Sequence, residues 1–267
     1  MKANNPYMNG ERILLGGHRG DRRYYPENTM PAMISAVEMG CDAIETDVRR
    51  TKDGHLILIH DRDVARTTNG QGNVDEMTLA EIRALDAGSW KDPSFAGVQI
   101  PTVEEFLEYV HDKNIVINWE LKEYPKELGE DWAYGTIDLL VELIDRYGMA
   151  ERSIINSFSE RDLEYVFDKW PDKFLIHGYP HYRRAPDHAD KDIVPYCHWI
   201  AIWDKSADCP AGFEKDYKEA RDNDAMACIL VKDVEEQYRA ALDLGCVMFT
   251  SDDPKTAIEI LKNLGVR

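Results

Sequence analysis

Residues 43–60 of the chain read AIETDVRRTKDGHLILIH, and this stretch decides the fold. Its first part predicts a β-strand in which Ala43, Glu45 and Asp47 share one face, while the residues between them share a face that can pack on helices. Its last part, four aliphatic residues ending in His60, predicts a further strand after a tight turn. In a barrel of parallel strands, inward-facing side chains near the strand ends gather at one mouth. Two carboxylates are therefore expected at such a mouth.

The rest of the chain alternates strand-like and helix-like apolar patterns, which is typical of an α/β fold. Nine segments predict strands, at residues 12–16, 43–48, 56–60, 115–122, 153–158, 174–177, 198–203, 227–231 and 246–250. A (β/α)8 TIM barrel accommodates eight strands. We therefore expect one of the shorter C-terminal segments to be wrong or to lie outside the barrel.

Residues 62–99 break this alternation and predict a small insertion after the third strand. Within it, Thr78 and Glu81 have the spacing of a helix capping box, and Thr102 and Glu105 repeat that spacing just after it. No linker-like or low-complexity segment divides the chain. The sequence therefore predicts a single barrel domain over residues 1–267.

Composition narrows the class of protein further. With 267 residues and 43% hydrophobic content, the chain can bury a substantial core. A net charge of −18 repels nucleic-acid phosphates, so a general nucleic-acid binder is not expected. No stretch is apolar enough to span a bilayer, and the first residues lack a signal-peptide core. We therefore expect a cytoplasmic protein, or a secreted one if a leader has been removed.

Cysteine usage agrees with a reducing compartment. The odd count and the lack of any CxxC pair favour buried thiols over disulfides or zinc ligands. The five cysteines are Cys41, Cys197, Cys209, Cys228 and Cys246.

Three carboxylates are predicted to converge at the barrel mouth. Glu120 and Lys122 share the inward face of the strand at 115–122, beside Glu45 and Asp47 of the earlier strand. Like charges in a partly desolvated pocket force protonation of one group unless a cation is present. An all-oxygen ligand set indicates one divalent cation, Mg²⁺ or Ca²⁺. The alternative is that Glu45 and Asp47 pair with surface lysines on an exposed strand.

Two histidines and an arginine fall near predicted strand ends. His18 and Arg19 lie in the glycine-rich run GGHRG, and His60 ends the third predicted strand. A guanidinium at such a mouth suits bidentate phosphate binding. The alternatives are structural histidines, and an ion pair of Arg19 with Glu27 or Asp21.

Nine motifs follow one another along the chain. They are GGHRG at 16–20, PENT at 26–29, ETDV at 45–48, TKDGHLILIHD at 51–61, RTTNGQG at 66–72, IPTVEEFL at 100–107, WELK at 119–122, IINSF at 154–158 and FTSDDP at 249–254. In order and spacing these motifs resemble the glycerophosphodiester phosphodiesterase family. The resemblance is close through residue 122 and looser from there to the end.

The resemblance implies a barrel enzyme and assigns roles by motif position. His18 and His60 would be the catalytic acid and base, in either order, and the metal ligands would be Glu45, Asp47 and Glu120. Arg19 and Lys122 would hold the phosphate of a small-molecule phosphodiester. Glu27 and Asn28 would support these groups, unless Asn28 serves mainly as a helix cap. The family also suggests that the glycerol 2-hydroxyl of the substrate is the nucleophile.

The C-terminal third departs from the family pattern. Residues 229–232 read ILVK where family members carry a WTVN-like run whose aromatic ring lines the site. The aromatic and histidine-rich residues 177–192, with Trp199 and Trp203, offer another pocket wall. The alternative is a solvated loop with both tryptophans in the core. We expect alcohol specificity to lie in this third of the chain.

The leading hypothesis is therefore metal-dependent hydrolysis of glycerophosphodiesters to glycerol phosphate and an alcohol. One alternative is a related barrel phospholipase D acting on lysolipid headgroups, which the acidic charge disfavours. Another is a catalytically silent protein that binds phosphodiesters. A zinc-dependent barrel hydrolase would need a His-x-His pair on the first strand, but Arg19 and Gly20 follow His18. The sequence leaves open the alcohol, the ion and the oligomeric state.

Overall fold

A computed structural model describes residues 12–179, 189, 197–202 and 214–267. The strands in this part of the chain are β1 Leu14–His18, β2 Ala43–Arg50, β3 Leu56–Leu58, β4 Val116–Leu121, β5 Ser153–Ser157, β6 Leu175–Gly178, β7 Trp199–Ile202, β8 Met226–Val231 and β9 Cys246–Ser251. Its α-helices are α1 Met30–Glu38, α2 Leu79–Arg83, α3 Val103–Val110, α4 Pro125–Leu128, α5 Glu130–Arg146, α6 Glu160–Lys169, α7 Glu214–Asp222, α8 Glu235–Asp243 and α9 Pro254–Asn263. Among these helices, none has the length and apolar content that a bilayer span needs.

Eight parallel strands close into a barrel in the order β1, β2, β4, β5, β6, β7, β8 and β9, with β9 pairing back onto β1. Helices follow most of the strands and cover the outside of the barrel. The predicted (β/α)8 fold is therefore confirmed. Because all eight strands are parallel, their carboxyl ends meet at one mouth.

The extra strand is β3, so the expectation of a C-terminal outlier is wrong. β3 pairs antiparallel with the part of β2 that extends past the barrel, with Leu58 opposite Val48. A connection of five residues, Thr51–His55, joins the two strands and can form only a hairpin, since parallel strands need a crossover of about a dozen residues. The end of β2 therefore points away from the barrel mouth, and β3 runs in the opposite direction, back toward the mouth.

Strand parity agrees with the sequence pattern. Ala43 packs inside the barrel, while Ile44 and Val48 belong to the apolar layer between the barrel and its helices. Glu45 and Asp47 are both buried on the inward face. The lower half of the barrel is filled by side chains from all eight strands: Leu14, Ala43, Val116, Ile154, Leu175, Trp199, Cys228 and Met248. Only the upper half remains for a site.

Residues 62–99 pack beside the hairpin rather than continue the barrel. Ile57 and Ile59 join an apolar cluster with side chains of this segment such as Val64, Val74 and Ile82. Both predicted capping boxes are present, at Thr78 with Glu81 and at Thr102 with Glu105. The segment therefore packs against β3, the strand that precedes His60.

The remaining local predictions have mixed outcomes. Four of the five cysteines are free and buried, and Cys209 lies outside the described residues. Trp199 is buried in the barrel core, as one of the alternatives stated, whereas Trp203 lies outside the described residues.

Candidate active site

A cavity of about 380 Å³ opens at the carboxyl ends of the barrel strands. Side chains from all eight barrel strands or the residues just after them contribute to its wall, so it is a property of the closed barrel. The lining residues are His18, Arg19, Glu45, His60, Asn118, Glu120, Lys122, Asn156, Phe158, His177, Tyr179, Ala201, Ile202, Cys228, Leu230 and Thr250.

A buried acidic cluster lies beside this cavity. Oxygen atoms of Glu45, Asp47 and Glu120 come within 4.8 Å of one another. The Lys122 ammonium lies 3.1 Å from Asp47 Oδ1 and also contacts Glu120. The alternative of surface lysine partners is wrong, because both carboxylates of β2 are buried and the lysine is buried with them.

The cluster has an uneven distribution of charge. Burial, together with repulsion from Asp47 and Glu120, raises the pKa of Glu45 well above its usual value. Burial also acts to raise the pKa of Asp47, but the charges of Lys122 and Arg19 outweigh it and lower that pKa. Without a further cation, the charged form of Glu45 is therefore disfavoured.

The donor set of this cluster fits a hard divalent cation. Glu45 Oε1 is buried and has no hydrogen-bond partner among the residues the structure describes. The three ligand candidates offer oxygen atoms only, which is the chemistry that Mg²⁺ and Ca²⁺ select. A cation bound there would relieve the repulsion that raises the pKa of Glu45.

Each of the two histidines is oriented by a carboxylate. His18 Nδ1 lies 2.6 Å from Asp252 Oδ1, and its Nε2 lies 3.7 Å from Glu45 Oε2. His60 Nδ1 lies 2.6 Å from Asp61 Oδ1. A carboxylate on Nδ1 fixes the ring and leaves Nε2 for proton transfer, as in the catalytic triads of hydrolases. Both rings therefore present Nε2 as the free nitrogen.

His60 reaches the cavity by an unexpected route. Its sequence position predicted that His60 would end a barrel strand. It instead follows β3, the strand that returns to the mouth outside the barrel. The Ile59 amide donates to the carbonyl of Asp47 over 3.1 Å, which brings the next residue level with the mouth. Burial lowers the pKa of His60, although the charge of Asp47 opposes this. The neutral form of the imidazole is therefore favoured.

Arg19 and Asn28 occupy left-handed backbone conformations, with φ of 57° and 55°. Such strain in residues other than glycine clusters at functional sites. Arg19 Nη1 lies 2.6 Å from Glu27 Oε1, and its Nε lies 3.2 Å from Asp47 Oδ2. Of the two alternative partners considered for Arg19, Glu27 therefore does form an ion pair with it. Asp21 instead accepts a hydrogen bond from Ser35 over 2.8 Å.

Asn28 belongs to the site and does not cap α1. Its amide donates to Asp47 Oδ2 over 2.7 Å, and its carbonyl oxygen accepts from Thr46 Oγ1 over 2.8 Å. Thr29 occupies the cap position, yet its hydroxyl donates to the carbonyl of Pro26. Asn28 therefore holds one oxygen of Asp47 in place.

Arg66, from the insertion, links the two sides of the site. Its guanidinium makes two hydrogen bonds to Glu27, at 2.8 and 3.2 Å, and also contacts Asp61. Glu27 holds Arg19, and Asp61 holds His60. One side chain thus supports both a candidate phosphate-binding group and a candidate catalytic group.

Glu27→Gln is expected to destabilise the fold in a pH-dependent way. Burial acts to raise the pKa of Glu27, but Arg66, Arg19 and Arg22 together lower it to about 2. A carboxyl group whose pKa is lowered on folding stabilises above its unfolded pKa and loses that contribution as pH falls toward the folded value. We expect a loss of roughly 3 kcal/mol at pH 7 that fades between pH 5 and pH 2.

Chemical denaturation across that pH range measures the effect. Glu142→Gln removes one partner of an exposed ion pair and serves as the matched control, with no expected change. A Glu27→Gln variant whose free energy of unfolding matches the parent at pH 7 would show that the network contributes nothing to stability.

All seven candidate residues converge at this mouth. His18, Arg19, Glu45, His60, Glu120 and Lys122 line the cavity, and Asp47 completes the acidic cluster. The sequence assigned no role to Asp252, Asp61 or Arg66. All three residues lie in the quoted motifs, but the pairing of His18 with Asp252 spans 234 residues and has no local signature.

The chain forms a closed parallel barrel with acidic, basic and histidine side chains at its carboxyl-terminal mouth. These features place it in the class of (β/α)8-barrel enzymes. Residues 18–202, more than two thirds of the chain, match the glycerophosphoryl diester phosphodiesterase family. The chain belongs to this family, so the resemblance found in the sequence is confirmed.

Individual relatives agree with this assignment. A glycerophosphodiester phosphodiesterase of Caldanaerobacter subterraneus subsp. tengcongensis is 44% identical over 159 residues, which is 58% of this chain and 62% of the relative. A Bacillus altitudinis protein of the same name is 38% identical over 151 residues, 55% of this chain and 58% of its own length. The matches thus span less than two thirds of these curated relatives.

Solved structures share the fold over nearly the whole chain. The glycerophosphodiester phosphodiesterase of Agrobacterium tumefaciens superposes with a TM-score of 0.73 at 25% identity, over 92% of this chain and 99% of that one. An Oleispira antarctica phosphodiesterase, solved with the product sn-glycerol-3-phosphate, gives a TM-score of 0.78 at 23% identity over 93% and 96%. The barrel similarity therefore extends past residue 202, where the family match ends.

Proposed function

We propose that this protein hydrolyses glycerophosphodiesters to glycerol phosphate and an alcohol, with one divalent cation, Mg²⁺ or Ca²⁺, as cofactor. The observation that carries the proposal is the convergence of the acidic cluster with two carboxylate-paired histidines in one cavity. Family membership supplies the substrate class. A small phosphodiester fits a cavity of about 380 Å³.

Glu45, Asp47 and Glu120 are the residues that would hold the cation. When bound, a divalent cation neutralises charge on phosphoryl oxygens and so supplies electrostatic stabilisation. Asn28 keeps Asp47 oriented for this task through its 2.7 Å hydrogen bond. Lys122 balances part of the negative charge from within the same cluster.

Arg19 and Lys122 would bind the phosphate. The overall charge of −18 disfavours an anionic substrate, so local positive charge must outweigh it. The contacts of Arg19 with Glu27 and Asp47 fix the direction of its planar group before the substrate arrives. A guanidinium retains further N–H donors for phosphate oxygens when two are already engaged.

The glycerol 2-hydroxyl of the substrate would attack its own phosphorus. The new bond from that oxygen to phosphorus forms as the bond to the alcohol oxygen breaks, which yields a cyclic glycerol phosphate and the free alcohol. One histidine takes the proton of the 2-hydroxyl and the other gives a proton to the departing oxygen. Water then opens the ring with the histidine roles reversed. His18 and His60 suit both tasks because each keeps Nε2 free.

Turnover of a panel of glycerophosphodiesters, with Mg²⁺ and with Ca²⁺, tests the proposal. We expect release of glycerol phosphate from at least one substrate and no release after chelation. Binding without turnover would favour the silent binding protein, and activity confined to micellar lysolipid would favour the phospholipase D. Either result would overturn the proposal.

Arg19→Lys is expected to lower kcat/KM by about tenfold or more. The lysine keeps the charge but loses the two-pronged geometry, and that loss matters most if the contact tightens in the transition state. Steady-state kinetics on the best substrate of the panel measure it. Arg23→Lys changes an exposed arginine of the same loop and should leave the kinetics unchanged. If both variants behave alike, Arg19 is structural.

Other expectations from the sequence stay predictions. These are the single domain with its insertion at about 62–99, the cytoplasmic location and the lack of nucleic-acid binding. Alcohol specificity in the C-terminal third also stays a prediction, because residues 180–188 and 190–196 lie outside the described part of the chain. Deletion of residues 181–190 should change the order of substrate preference more than it changes metal binding.

A further inference from the structure

The part of the cavity next to the acidic cluster holds polar groups that the proposed chemistry does not use. Asn118, Asn156 and His177 line the cavity, and their exposed fractions are only 1%, 3% and 5%. Asn118 Oδ1, Asn156 Oδ1 and His177 Nε2 each lack a hydrogen-bond partner among the residues described here. A buried polar atom without a partner is costly, so native structures seldom leave three such atoms together.

These three groups are neutral and offer both donors and acceptors. Burial lowers the pKa of His177 to about 4, so its ring is uncharged near neutral pH. The Asn118 amide lies 3.2 Å from His177 Nδ1, and when it donates there the ring proton is on Nε2. The unpartnered atoms are then one N–H donor and two carbonyl acceptors.

A hydroxyl group matches this set because it donates and accepts at once. A quaternary ammonium has no proton to give the two amide oxygens. A primary ammonium has no lone pair for the Nε2 proton, and these three neutral groups provide no counter-charge for it. Taken by themselves, these three groups therefore match a hydroxyl group better than a cationic one.

The position of these groups suits a substituent attached to the phosphate. Asn118 pairs in register with Glu45, and Asn156 pairs with Glu120. Neighbouring strands lie roughly 4.8 Å apart, so the amides are one strand spacing from two of the candidate metal ligands. Phe158 and Tyr179, which also line the cavity, stack with ring centroids 4.1 Å apart and add an apolar surface for carbon atoms.

We propose that Asn118, Asn156 and His177 form a neutral subsite that binds a polyol part of the substrate, the glycerol or a hydroxylated alcohol. This inference rests on the proposed function and names the chemistry that the site prefers next to the phosphate. With the alcohol in the subsite, hydroxyl-rich glycerophosphodiesters are better substrates than those with a cationic alcohol.

The test compares glycerophosphoglycerol with glycerophosphocholine in Asn156→Leu, which keeps the size of the side chain and removes its polar atoms. His177→Phe is the second variant, and circular dichroism selects the variants that fold. Asn263→Leu makes the same polar-to-apolar change at an exposed position at the end of α9, outside the cavity lining, and is the matched control. Calorimetric binding of sn-glycerol 3-phosphate and of methyl phosphate adds a readout independent of turnover.

The outcomes separate the two sources of hydroxyl groups. If the alcohol occupies the subsite, the preference for glycerophosphoglycerol falls by about tenfold in Asn156→Leu or His177→Phe. If the glycerol occupies it, kcat/KM falls equally for both substrates, and sn-glycerol 3-phosphate loses about tenfold in affinity while methyl phosphate does not.

The proposal would be overturned if a folded variant kept its substrate preference and its affinity for both sn-glycerol 3-phosphate and methyl phosphate. The three groups would then bind only ordered water. Failure of the parent protein to hydrolyse any glycerophosphodiester would instead overturn the proposed function. The two failures are therefore distinguishable.

Discussion

A glycerophosphodiester whose glycerol 2-hydroxyl is removed or methylated is expected to show a kcat at least ~10³-fold below that of the parent substrate. A hydroxyl held beside phosphorus on the same molecule acts at an effective concentration of roughly 10⁵ M or more. Water entering from the cavity lacks that advantage. The pairings of His18 with Asp252 and of His60 with Asp61 leave a base for the 2-hydroxyl and an acid for the alcohol.

Single-turnover phosphorus NMR with the parent substrate should show a transient cyclic glycerol phosphate. The control is competitive inhibition by the altered substrate, which should still bind because it keeps its phosphate. Turnover of the altered substrate at the parent rate would make water the direct nucleophile and contradict this mechanism, even if both histidines prove essential.

Glu45→Gln is expected to lower the affinity for the divalent cation by at least ~100-fold and kcat/KM by about 10³-fold. Glu45 is buried beside Asp47 and Glu120, and burial and repulsion from these two groups disfavour its charged form. The neutral glutamine also removes the repulsion. The metal-free variant should therefore unfold at the same temperature as the metal-free parent or higher.

Thermal unfolding with and without added Mg²⁺ or Ca²⁺ measures both effects, because stabilisation by a bound ligand grows with the logarithm of its concentration divided by its Kd. The matched control is Glu123→Gln, a buried carboxylate three residues past Glu120 that pairs with Arg49 instead. It should leave the cation dependence intact. A Glu45→Gln variant that retains full stabilisation by the cation would rule Glu45 out as a ligand.

Much of the site was predictable because it depends on local periodicity. Alternation along β2 and β4 places Glu45, Asp47 and Glu120 on inward faces, and the side-chain period of a strand is the same in every context. The capping boxes at Thr78 and Thr102 were predictable for the same reason, since their hydrogen bonds join residues three apart.

The placement of His60 shows where local pattern misleads. Four aliphatic residues before it predict a strand in any sheet, but they do not say which neighbour the strand pairs with. The decisive fact is the short turn after β2, which permits a hairpin and excludes a crossover. His60 was correctly predicted to lie at the barrel mouth, but the strand before it was wrongly predicted to belong to the barrel.

The sequence by itself determined the barrel, the inward parity of the carboxylates and the family, since these follow from periods and motifs within short stretches. Closure of β9 onto β1 decided that Asp252 orients His18, and packing of the insertion decided that Arg66 supports both His60 and Arg19. The pairing of neighbouring barrel strands also brought three residues from β4, β5 and β6 to one wall of the cavity: Asn118, Asn156 and His177. These contacts join residues far apart in the chain, and only the free energy of the whole packed barrel selects such partners.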